Sequence, residues 1–476
     1  MRYGLSIFFI ILYLFGFSQK KEFDLQKKYS STQVLQDIDF TEKYLTKFHP
    51  DPYRYISKDS LHAFVTRVKA AIDTSLTEMQ VRFYIKQIVA KIGCGHTDVD
   101  ASVAYAKTVK KTNRPILPLN IFITDSSRLV VLNNLSTDTV IKAGDEILSI
   151  HKYSQKQIIK TIYSIYTTDG YNQTFKKQGT RHKSFKYFYS FCFGFKPEYN
   201  VKIKQEDQSI RIVNLKAISS LKDTLILPKK DSVTPLQQTK KCRYYYANSA
   251  VAVIDIDGFS GKHWYRFLRR SFKDIRKRKT ENLVIDLRDN GGGQIAYGLN
   301  LLSYLIDKPN SLSFDRKPNL LPFNFRFKMG LFSRITPILF CLRFQSFPKH
   351  GRLRHYLFSL PKHRNAYAGK LFVLVNGKSF SMSGVASSYL KYKANATIIG
   401  EETGGNVAGS NAVISGKIIL PNTRVRIYIP VYHIYHHINA ENSGHGLMPD
   451  YPIYYSKETI LNGDDPVMQK ALELAH

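Results

Sequence analysis

The sequence is short of acid, of cysteine and of tryptophan. Its 476 residues carry 37 Asp plus Glu against 70 Lys plus Arg, a net charge of +33. A surplus of that size favours contact with something anionic, such as nucleic acid, anionic lipid or a cell envelope, and says nothing about fold. The four cysteines, Cys94, Cys192, Cys242 and Cys341, form no C-x-x-C pair, so no zinc or redox motif is visible. They are also too widely spaced for a disulfide-stapled small domain. No H-E-x-x-H pattern occurs. The N-terminal run from Leu5 to Phe17 has thirteen residues, too few to span a bilayer, and no later segment is long and apolar enough. What is present is globular: 43% hydrophobic and 13% aromatic residues in a chain too long for one core.

The Leu5 to Phe17 run follows Arg2, and Gly16 and Ser18 put small residues at the −3 and −1 positions of a cut before Gln19. This is the pattern of a signal peptide over 1–18. The expectation is an exported, periplasmic or envelope-associated chain, with an uncleaved anchor as the alternative. Export makes nucleic acid an improbable partner despite the charge.

Residues 19–112 read as a helical N-terminal region, with apolar residues at three- and four-residue intervals up to the loop "GCGHTDVD". Residues 113–218 turn to short strands, and the aromatic, basic stretch "TFKKQGTRHKSFKYFYSFCFGFKPEYNVKI" is expected to form strands as well. A polar linker covers 219–244. From 245 to 476 apolar strands alternate with helices, which implies a largely parallel sheet with helices packed outside. Within this part, the segment from Arg316 to Lys370 has twelve Lys or Arg and no Asp or Glu. An insertion over 310–370 is expected, either packed on the core or lying on an anionic membrane surface.

The chemistry centres on "NGKSFSMSG", with serines at 379, 381 and 383. A strand runs into this stretch and a helix leaves it. A hydroxyl at a helix N-terminus sits in a positive field near free N–H groups, which can hold a tetrahedral oxyanion. An ordinary N-cap serine is the competing reading. The histidines of "VYHIYHHINAENSGHG" (His433, His436, His437 and His445), with Glu441, offer a rival metal-ligand set, although their spacing matches no metal motif.

Three motifs decide between these readings. "VIDLRDNGGG", "LVNGKSFSMSGVASSYLKYKANATIIGEETGG" and "GHGLMPDYPI" resemble, in order, the motifs of the C-terminal processing (tail-specific) and tricorn-core-like serine peptidases. The module around "IKAGDEILSI" is similar to the PDZ-like domain of that family. The resemblance implies an α/β, crotonase-like (ClpP/crotonase-type) core, a helical N-terminal region and a β-rich PDZ-like module, with no cofactor. It makes Ser381 the nucleophile. The tail-specific branch has a lysine base where this chain has Asn406, so a Ser–Lys dyad is ruled out. The tricorn-like branch draws a histidine from ahead of the PDZ-like domain, here His96, and orients it with a glutamate, here Glu441. The oxyanion donors implied are the N–H of Met382 and that of Gly292, with Gly291 close behind. An acidic residue that the family often has shortly after the nucleophile is Gly384 here.

The expectation is therefore a serine endopeptidase acting on unfolded or C-terminal protein segments, since PDZ-like modules capture extended peptides by strand addition. A silent relative that binds peptides or hydrophobic ligands is the alternative, because a fold does not guarantee its chemistry. A protein working mainly through envelope contact is a third.

Overall fold

The computed structural model describes residues 22–220, 233–307, 310–316, 327–328, 345–349, 353–360, 366–436, 438–440 and 444–475. The signal-peptide run, part of the linker, most of the basic insertion, Cys341, His437 and Glu441 lie outside them.

The N-terminal region is helical: α1 (Ser31–Phe48), α2 (Lys58–Ala70) and α3 (Glu78–Ala90), then the loop bearing His96 and a short strand β1 (Asp98–Asp100). Helices α1 and α3 begin with capping boxes, Ser30 with Gln33 and Thr77 with Gln80, which satisfy donors that a helix start otherwise leaves open. Val34, Ile38 and Leu45 of α1 face inward with Val81, Ile85 and Ile88 of α3. They share one hydrophobic cluster with the C-terminal half of the chain.

The middle module has strands β2 (Leu119–Ile123), β3 (Leu129–Asn134) and β4 (Glu146–Ile150). Helices α4 (Gln155–Ser164), α5 (Thr174–Thr180) and α6 (Lys183–Phe193) follow, then β5 (Glu198–Lys204) and β6 (Ile210–Lys216). The sheet is antiparallel in the order β6-β5-β4-β3-β2. Its core, which includes Leu119, Ile121, Ile147, Tyr189 and Ile203, is separate from the shared cluster. The aromatic stretch expected to form strands is instead mostly helical, over α5 and α6. Phe185 and Tyr189 are four residues apart and both buried, with Phe188, Cys192 and Phe193 partly buried beside them. That is helical spacing, and it overrode the strand preference of aromatic residues.

The C-terminal half contains β7 (Gln237–Gln238), β8 (Cys242–Tyr246), β9 (Val251–Ile256), α7 (Trp264–Lys277), β10 (Asn282–Asp286) and α8 (Ile295–Leu305). It continues with β11 (Lys370–Val375), α9 (Met382–Ala394), β12 (Thr397–Gly400), β13 (Gly409–Ile419), β14 (Arg426–His436) and α10 (Pro466–Leu474). One sheet runs β7-β8-β9-β10-β11-β12 and ends on Tyr451–Pro452. It is parallel from β9 onward. Because successive parallel strands advance in one direction, right-handed crossovers put their helices on one face. Residues of α7, α8 and α9 accordingly pack in the shared cluster, whereas Val467 and Ala471 of α10 cover the other face. A second, antiparallel sheet is built on β13 and β14. It takes in backbone strands of the basic insertion, with Asn310–Arg316 pairing β14.

Two contacts attach the N-terminal region. Strand β1 pairs antiparallel with β14, Val99 opposite Ile427. The buried carboxylate of Asp37 accepts the N–H groups of Asn422 (3.0 Å) and Thr423 (2.9 Å) in the β13–β14 turn. Among the described residues, no helix is long and apolar enough to cross a membrane.

Candidate active site

The glycine turn after β10 and the serine turn after β11 leave the same end of adjacent parallel strands. Side chains tie them together. Asn376 Oδ1 accepts the Asp289 N–H at 3.0 Å, and the Phe380 N–H bonds Asn290 O at 3.1 Å. Ser379 Oγ donates to Leu287 O at 2.7 Å and accepts the Asn376 N–H at 3.0 Å. The first of the three serines is therefore part of the scaffold. Ser383, the third, is buried in α9, and its hydroxyl has no hydrogen-bond partner among the described residues.

Ser381 differs from both. It stands immediately before α9 at φ 55°, ψ −123°, a backbone region that residues with a side chain rarely adopt. Its hydroxyl does not cap the helix. It lies instead 3.0 Å from His96 Nε2, across 285 residues of sequence. Strain at one residue and a side chain turned from the cap to an imidazole are both costly in a purely structural serine.

His96 is half-buried and stacks on Phe380 with ring centroids 4.5 Å apart; Phe380 in turn stacks on Phe175 of α5 at 4.4 Å. Loss of hydration pushes the imidazole down to about 4, so it is neutral at pH 7 and able to accept a proton. Its Nδ1 is buried without a partner among the described residues.

The His96 loop is held by a residue that motif reading missed. Asp169, in the α4–α5 connection, accepts the Gly95 N–H at 2.7 Å and, at 3.5 Å, the Asn406 N–H. Burial pushes its carboxyl up to about 6, against the lowering effect of these two bonds. Gly95 can carry no side chain, because a Cβ would sit 2.7 Å from the Phe380 ring. Asn406, in place of a lysine base, donates to Tyr55 at 2.5 Å and accepts the Ala408 N–H at 2.8 Å. In sequence, "TTDGYN" reads only as a turn.

The motif residues around the site are largely structural. Arg288 makes bonds to both oxygens of Asp286 and to both oxygens of Asp465, and these anions hold its charge firmly in place. Asn290 donates to Ile256 O at 2.8 Å and accepts the Gly292 N–H at 2.9 Å. Gly292 has φ +97°, and a Cβ there would lie 2.7 Å from Ser381 Cβ and 2.9 Å from Met382 N. Gly291 faces open space, and its N–H makes no hydrogen bond among the described residues. Buried Glu401 of the G-E-x-T stretch receives Lys177 at 2.6 Å and also Gln178, both from α5. It therefore docks the middle module.

The candidate metal ligands are dispersed. His433 Nδ1 lies 2.7 Å from Asn411 Oδ1, His436 Nδ1 lies 2.6 Å from Val407 O, and His445 Nδ1 lies 3.1 Å from Glu402 Oε1. Among the described residues, no group of three or more His, Cys, Asp or Glu is arranged to hold a metal ion.

Residues 250–453 match the family model described as Peptidase family S41. The chain carries an S41 serine peptidase domain. In overall fold it is similar to mature CPAF, with a TM-score of 0.63 and 16% identity over 94% of this chain and 96% of that one. Against mature CPAF complexed with lactacystin the TM-score is 0.65, with 15% identity over 94% of this chain and 98% of that one. A third match is the photosystem II D1 C-terminal processing protease, with a TM-score of 0.41 and 16% identity over 88% of this chain and 93% of that one. No curated protein matches by sequence. At such identities the likeness is one of fold, and the S41 assignment rests on residues 250–453.

Proposed function

We propose that this S41 protein is an exported serine endopeptidase with a crotonase-like core and a PDZ-like module, acting through Ser381, His96 and Glu441. The observation that carries the reading is the 3.0 Å approach of His96 Nε2 to the hydroxyl of a strained, non-capping Ser381. Ser381 Oγ attacks the peptide carbonyl while its proton passes to His96 Nε2. The tetrahedral oxyanion collapses, the C–N bond breaks, and His96 gives the proton to the leaving amine. Water, deprotonated by His96, then cleaves the acyl ester and frees Ser381.

An imidazolium whose Nδ1 is shielded from water needs an anion there. Glu441 is proposed for this role. Three residues on from Glu441, the carbonyl of Gly444 accepts the Tyr171 N–H at 2.9 Å, next to the Gly170 N–H that bonds Gly93 O in the His96 loop. Met382 N–H and Gly292 N–H are the proposed oxyanion donors, with the Gly292 hydrogen shared between Asn290 Oδ1 and the oxyanion. Extended protein segments are the proposed substrates. Edge strand β6 exposes Ile210 and Ile212, a surface suited to strand addition.

The test is labelling by a fluorophosphonate probe. Wild type is expected to label, and Ser381→Ala and His96→Ala to lose labelling while retaining wild-type melting. A folded wild type that does not label would overturn the reading.

A further inference from the structure

A cleft of about 720 Å³ lies between the β7–β8 hairpin and the first turns of α7. Lys240, Lys241, Lys262, His263, Arg266 and Arg270 line it, and no carboxylate does. None of its Lys or Arg residues forms an ion pair among the described residues. The start of α7 adds the positive end of a helix dipole.

The cleft opens onto a longer basic surface. Helix α7 buries Trp264, Phe267, Leu268, Phe272 and Ile275, and exposes Arg269, Lys273, Arg276 and Lys277 beside Arg266 and Arg270. Over fourteen residues at about 1.5 Å each, this row is about 21 Å long. One small anion would leave most of it unneutralised. Tyr265, 55% exposed, stands at the cleft end of the row, an amphipathic ring suited to a headgroup layer.

We propose that the cleft and the outer face of α7 bind the phosphate headgroups of an anionic membrane, with one headgroup seated in the cleft. A flat array of phosphates matches a straight row of cations better than a discrete ligand does. The apolar run from Leu5 to Phe17, as export signal or anchor, brings the chain to a membrane. None of the proposed catalytic residues lines the cleft, and the basic insertion is not needed for it.

The full chain is sedimented with vesicles of phosphatidylcholine alone, or of phosphatidylcholine with a minor share of phosphatidylglycerol. Binding only to the latter, released by high salt, is expected; insertion of the apolar run would ignore both variables. R266Q/R270Q/K273Q should lower the partition coefficient about a hundredfold, at roughly a factor of five for each lost cation. K107Q/K110Q/K111Q removes the same charge from the exposed residues of helix Val103–Lys111 and should bind as wild type does. Both variants should keep wild-type melting and probe labelling. Equal loss in the two variants, undiminished binding by the α7 variant, indifference to phosphatidylglycerol, or tighter binding to duplex DNA at the same salt would each overturn the proposal.

Discussion

The N-terminal region and the middle module both lie ahead of the S41 domain and both reach its candidate active site, but they are joined to it differently. The N-terminal helices share a hydrophobic cluster with α7, α8 and α9, and β1 extends the sheet of β14. The middle module has its own core and meets the peptidase domain through the Phe175–Phe380 stack and through polar contacts, those of Lys177 and Gln178 with Glu401 and of Asp169 with Asn406. One region carries His96, the proposed proton acceptor, and is fused to the core. The other holds the His96 loop through Asp169 from a separate core, and the readiness of the site is therefore expected to depend on the module.

The largest effect should come from cutting that connection. Asp169→Ala leaves the Gly95 N–H without its acceptor and frees the His96 loop. A displacement of about 1 Å at a catalytic group costs about a hundredfold, and Ser381 labelling should slow by that much at pH 7. Asp169→Asn, which keeps one oxygen for Gly95, should recover most of it. Full labelling in Asp169→Ala would make the contact incidental.

A pair of core truncations tests the comparison itself. Ile38 and Ile203 are fully buried, one in each core, and either change to Ala should cost about 2–5 kcal/mol. The only tryptophan, Trp264, is buried in the shared cluster and reports on that core alone. In a urea titration, Ile203→Ala should shift loss of labelling to lower urea without moving the Trp264 transition. Ile38→Ala should move both together. If both variants move both signals, the chain is one cooperative unit and the contrast fails.

The acid limb of labelling sharpens the contrast next. Labelling is lost as pH falls through the His96 pKa, which burial alone puts at about 4. A carboxylate at Nδ1 stabilises the imidazolium and moves that limb upward. Wild type should therefore show its acid limb at higher pH than Glu441→Gln, whose limb should lie near 4. Coincident limbs would remove Glu441 from the constellation.

What could be read in the sequence follows from how local each signal is. The buried runs of β9, β10 and β11 and the glycine and serine turns between them depend on adjacent residues, and they were legible. Pairing His96 with Ser381 needed a family pattern, because no periodicity links positions 285 residues apart. Asp169 left no trace, since an Asp before a glycine reads as a turn whether or not it grips another loop. Helix α6 was misread because its aromatic residues favour strands, and the buried Phe185 and Tyr189 pair shows only once the module's core is known.

The smallest expected effect concerns the two glycines of the proposed oxyanion turn. Gly292 lies against Ser381 but lends its hydrogen to Asn290, whereas the Gly291 N–H makes no hydrogen bond among the described residues and has open space around it. Gly291→Ala has room for its methyl group and no positive φ to oppose it, so labelling should stay within about threefold of wild type. Gly291→Pro is the sharper variant, because it removes the N–H outright. If Gly292 is the donor, the proline variant should label nearly as well as the alanine one. If labelling falls by about a hundredfold or more, as when an oxyanion donor is removed, the donor is Gly291 and the Asn290–Gly292 bond is there to brace the turn.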